Sequence, residues 1–116
     1  MNGSVFPKGE RLRRRPEFLQ FNAGASKMHT PHFLLLWKDR EPAGTRVGFT
    51  VSKKVGNAVV RNSIKRRLRE FYRQNKSLFM QADINIIAKK GADVLDFHQV
   101  STELAAALGR LRKRYA

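Results

Sequence analysis

Two periods run through the chain, one of two residues and one of about 3.6, and they divide it into strands and helices. His32 to Lys38 alternates, with Phe33, Leu35 and Trp37 to one side and Leu34 and Leu36 to the other, which predicts a strand. Val47-Gly-Phe-Thr-Val51 alternates more cleanly: Val47, Phe49 and Val51 face one way, Gly48, Thr50 and Ser52 the other. That second face is small and polar, which leaves room for something to lie on it. Asp83 to Lys89 reads as a further strand, mostly buried. Asn57 is a good N-cap for a helix running to about Asn75. A last helix spans Phe97 to Arg114, with Phe97, Val100, Leu104, Leu108 and Leu111 at helical spacing. Near the start, Pro16 suits the first turn of a short helix to Gly24 that presents Phe18, Leu19 and Phe21. Residues 1–10 are expected to be mobile, Ser26 to Pro31 to be a loop, and Asp39 to Thr45 to be a turn. The order is α-β-β-α-β-α, with one further short strand allowed. It describes an α+β sandwich with a small sheet, one domain over residues 1–116.

Charge changes the picture more than composition does. The 116 residues hold 24 Lys and Arg against 9 Asp and Glu, a net charge of +15, so the surface attracts polyanions. No run approaches the roughly 20 apolar residues of a membrane span. The basic N-terminus with Pro7 does not look like a secretory signal, and the absence of cysteine excludes disulfides and thiolate metal sites. Charge alone does not choose between nucleic acid and an anionic membrane surface; a cytoplasmic binder of polyanions, with no membrane span expected, is the class these features define.

On a helical wheel of residues 58–73, Val60, Ile64, Leu68 and Phe71 share one apolar sector. Arg61, Asn62, Lys65, Arg66, Arg69 and Arg73 fall on the opposite side, and only Arg67 strays toward the core edge. Like charges one turn apart cost roughly a few tenths of a kcal/mol per pair, and Glu70 is the one acid nearby. A solvated basic face is the bland alternative, but a helix seeking only solubility would mix its signs. The uncompensated repulsion therefore calls for an external anion. Lys53, Lys54 and the helix N-terminus at Asn57 add anion-binding groups on the approach. Asn62 adds a donor and an acceptor suited to a ribose 2′-hydroxyl or to orienting a metal-bound water.

Val51-Ser-Lys-Lys-Val-Gly-Asn-Ala-Val59, Arg61-Asn62, Ile64-Lys65-Arg66 and Arg69-Glu70 resemble the signature segment of the bacterial ribonuclease P protein family. Weaker similarity covers Arg15-Pro-Glu-Phe18, Phe33 to Trp37 and Ile86-Ile-Ala-Lys-Lys90. The resemblance implies a left-handed β-α-β crossover around the signature helix, in a fold shared with one domain of a ribosomal protein. It also implies an auxiliary subunit of a ribozyme whose RNA hydrolyses the 5′ leader from precursor tRNA with Mg2+, with no organic cofactor. Carried over, Arg61, Asn62, Lys65, Arg66 and Arg69 would lie on the ribonuclease P RNA or near the cleavage site, with Lys53, Lys54 and Arg73 on the same surface. Phe18, Leu34, Leu36, Thr50 and Ser52 would line the cleft for the single-stranded leader, and the protein alone would be a monomer. Three departures accompany the match. Ser63 stands where the family motif often has arginine, Phe18 and Phe21 are three apart rather than four, and Leu36 replaces an aromatic seen in some relatives.

Catalysis by the protein's own side chains is not expected. His29, His32 and His98 are scattered and read as surface or loop residues. Asp83 reads as a strand-start residue, and Asp93 and Asp96 as turn and capping groups. The alternatives are a ribosomal or other structural RNA-binding protein, a DNA-binding nucleoid or helix-turn-helix protein, and an independent nuclease, which needs residues the chain lacks.

Overall fold

The computed structural model describes residues 6–40 and 44–115. Its elements are α1 (Arg15–Leu19), β1 (Ser26–His29), β2 (Phe33–Asp39), β3 (Arg46–Thr50), α2 (Ala58–Gln74), β4 (Ala82–Ala88) and α3 (Phe97–Tyr115). The strands form one sheet in the order β1-β2-β4-β3. β2 is antiparallel to both β1 and β4, whereas β3 runs parallel to β4, so α2 is the crossover of a β-α-β unit. The architecture is the expected α+β sandwich.

Strand register assigns the two faces. Phe33 pairs with Ala88, Leu35 with Ile86 and Trp37 with Ile84, and Val47 pairs with Ile84 from the other side. All of these are buried against Ile64, Leu68 and Phe71 of α2 and Val100, Leu104, Leu108 and Leu111 of α3. The wheel's apolar sector is therefore the docking face of α2. Asn57 caps that helix as expected, its Oδ1 accepting from Val60 N at 3.0 Å. Asp96 does the same for α3, accepting from Gln99 N at 2.8 Å.

Two expectations need correcting. The predicted loop at Ser26–Pro31 contains edge strand β1; its residues are largely exposed, so no apolar alternation announces it. The predicted mobility of the start does not extend to Phe6–Glu10. Phe6 packs on Phe49 and Tyr72, and Glu10 accepts from Tyr72 Oη at 2.6 Å and pairs with Lys76 at 3.0 Å. Residues 1–5, like 41–43 of the predicted turn, lie outside the described residues. His32 lies in the loop before β2, as expected, but with an acidic partner that the spacing did not show: its Nδ1 is 2.7 Å from Glu103 Oε1, and Glu103 also accepts from Thr30 Oγ1 and His32 N. Burial would raise the Glu103 pKa, but these bonds outweigh it and hold the carboxyl below its ordinary value. The cluster fastens the start of β2 to α3.

Candidate nucleic-acid interface

The sheet face opposite the core carries Leu34, Leu36 and Lys38 of β2, Asp83, Asn85 and Ile87 of β4, and Arg46, Gly48 and Thr50 of β3. α1 covers one end of it. What holds α1 there is an ion cluster built on Arg46 and Asp83, partners in the β3–β4 register. Arg46 donates to both Asp83 oxygens, at 2.8 and 2.7 Å, and through its remaining nitrogen to Glu17 Oε2 at 2.9 Å. Gln20 Nε2 donates to Asp83 Oδ2 at 2.9 Å, and Arg40 stands 3.5 Å from Oδ1. Burial would raise the Asp83 pKa, yet the hydrogen bonds and positive neighbours prevail and lower it. Glu17 is lowered first by the backbone N–H groups of Arg13 and Arg14, which its carboxylate also accepts while closing the start of α1.

Fixed in this way, α1 lays the Phe18 ring directly over Gly48. A Cβ at position 48 would sit 2.5 Å from the ring, so the close approach requires glycine. Phe18 then forms part of a groove with Arg15, Phe49, Thr50, Val51, Lys65 and Asn85, of about 480 Å³. A second hollow of about 390 Å³ continues past Phe18 and Lys65 to Phe6, Arg11 and Arg69. Lys65 belongs to both the α2 stripe and the cleft. The two surfaces are one.

Among the described residues no carboxylate lies within 4 Å of the charged groups of Lys53, Lys54, Arg61, Lys65, Arg66 or Arg69. Arg61 instead donates to Gly56 O at 2.9 Å, across the turn that starts α2. Asn62, Arg66 and Arg69 are exposed, as are Ser52, Lys53 and Lys54 in the β3–α2 turn. Arg73 differs, because it pairs with Glu70 on its own helix. Leu34 and Leu36 are half-buried on the groove's sheet face, but across β4 from Thr50 and outside the groove lining. Phe21 is buried rather than offered to the groove. The contributions of Arg15, Phe49 and Asn85 to the lining, and the Arg46–Asp83–Glu17 cluster, were not foreseen. Asn85, a polar residue inside an apolar strand, was the visible signal.

An α+β sandwich that joins an unneutralised cationic helix to a groove lined by Phe18 and Phe49 has the make-up of an RNA-binding protein. A family model described as Ribonuclease P matches residues 6–112. The chain belongs to the ribonuclease P protein family. It is 82% identical over 116 residues to the ribonuclease P protein component of Citrifermentans bemidjiense, covering all of both chains. It is 55% identical to that of Geotalea uraniireducens, over 97% of this chain and 100% of that one. Among solved structures it is similar to the RNase P protein of Staphylococcus aureus (TM-score 0.82, 30% identity, 90% of this chain and 96% of that one). The RNase P protein of Thermotoga maritima is similarly close (TM-score 0.79, 32% identity, 87% and 96%).

Proposed function

We propose that the protein works as the protein subunit of ribonuclease P, holding the catalytic RNA with the α2 stripe and the single-stranded 5′ leader of precursor tRNA in the groove. The observation that carries this reading is the continuity of the two surfaces through Lys65. Arg61, Asn62, Lys65, Arg66 and Arg69 face RNA phosphates and riboses, and Lys53 and Lys54 extend the field. Arg73, already paired, contributes less. Phe18 offers its ring face to a base, a contact worth about 1–3 kcal/mol and tolerant of sequence, as varied leaders demand.

Endonucleolytic removal of the leader is carried by the RNA subunit with Mg2+, in the cytoplasm, while the protein binds, orients and neutralises as a monomer. Among the described residues no three His, Cys, Asp or Glu side chains converge, so the donor set does not suit a metal held by protein alone. In this reading the magnesium is held by RNA oxygens. Among the described residues no helix is long and apolar enough to cross a membrane.

The test adds the protein to a ribonuclease P RNA and precursor tRNA at low magnesium. Stimulated cleavage at the mature 5′ end is expected; no stimulation, with tight binding to duplex DNA, would overturn the reading. Phe18→Ala should weaken binding of leader-bearing tRNA about fivefold or more while sparing mature tRNA.

A further inference from the structure

The groove floor holds one side chain that this reading leaves without a task. β4 is apolar through Ile84, Ile86, Ile87 and Ala88, yet Asn85 stands at its centre, only 5% exposed. Thr50 Oγ1 donates to Asn85 Oδ1 at 3.0 Å from the neighbouring strand, which occupies the acceptor end and fixes the plane of the carboxamide. Among the described residues nothing accepts from Asn85 Nδ2, and this nitrogen is not among the sealed, partnerless atoms. It borders the groove that Arg15, Phe18 and Lys65 line. An amide donor held this deep is costly to leave unpaired, so a ligand acceptor at this place has a large effect.

We propose that Asn85 is a specificity-determining residue of the groove: its Nδ2 donors, oriented by Thr50, bond an oxygen acceptor on the nucleotide that stacks against Phe18. Arg15 and Lys65 supply the groove's positive charges and claim the phosphate. The neutral donor on the floor is left for the neutral part of the nucleotide, a base carbonyl or the ribose 2′-oxygen. This inference rests on the groove being the site of the single-stranded leader.

The experiment uses the protein assembled with a ribonuclease P RNA and compares affinity for leader-bearing and mature tRNA. Asn85→Leu, close in volume, should bind leader-bearing tRNA about three- to tenfold more weakly and mature tRNA as before. Its melting temperature should not fall, because an apolar side chain suits that strand. Thr50→Val, which removes only the orienting hydroxyl, should lose affinity in the same direction by less. Leaders carrying a 2′-deoxy nucleotide or a changed base then separate the sources: the true acceptor is the one whose removal abolishes the Asn85→Leu effect. If the wild type prefers leader-bearing tRNA and both variants keep that preference in full, Asn85 has no such role. A wild type without the preference overturns the groove reading itself, and this inference with it.

Discussion

Two arginine-rich regions of this protein have opposite fates. Around Arg46 the charge is consumed within the chain: Asp83 grips it with two bonds, Glu17 takes a third, and Gln20 and Arg40 complete the cluster. Along α2 the charge is left open, with Arg61, Lys65, Arg66 and Arg69 reaching no carboxylate among the described residues. The first region costs desolvation and returns a fixed position for α1. The second costs repulsion and leaves cationic groups open to a polyanion. Counting basic residues cannot tell these apart; only the position of the acids can.

The contrast is easiest to break at Asp83. Asp83→Ala leaves Arg46 half-compensated and should cost about 3 kcal/mol of folding stability, read by denaturant titration. Little change there would mean that the cluster does not hold α1. Next in size is the open region. Neutralising Arg61, Lys65 and Arg69 together should weaken RNA binding and flatten its salt dependence by about 0.7 of a log-log unit per lost single-strand phosphate contact. An unchanged slope would move the contact surface elsewhere.

Acid should separate the regions further. Asp83, Glu17 and Glu103 all have folded pKa values below their ordinary ones, so the stability they confer is complete above the usual carboxylate range. It is lost as pH falls below about 4 and through the lowered values, a drop that Asp83→Asn should reduce in a thermal melt. The smallest effect has the opposite sign. The triple neutralisation on α2 should raise stability in the absence of RNA by roughly a few tenths of a kcal/mol, since repulsion is relieved.

The same contrast explains how much was legible beforehand. α2 could be read because its two sides are a local matter: residues three and four apart decide which faces the core, and Asn57 caps it within its own first turn. β2, β3 and β4 were legible from alternation. β1 was not, because its backbone is held by β2 while its side chains stay exposed. The Arg46–Asp83 pair depends on a parallel register between strands 37 residues apart, which no local pattern encodes. For that reason Asp83 reads as a mere strand start and Arg46 draws no notice. Phe18 was singled out, but its seat on Gly48 required the sheet order. The partner of His32 is hidden for a like reason, since Glu103 lies 71 positions further on.

The position of β3 in the sheet also sets a timetable. Its ladder partner is β4, so Gly48 and Thr50 do not meet Asn85 until synthesis has passed Ala88 and the last strand has inserted between β2 and β3. Until then the residues of α2 have no completed sheet to dock on, and the hollow that Thr50, Lys65 and Asn85 share does not exist. The groove is a product of the whole chain, closed by the strand that is made last.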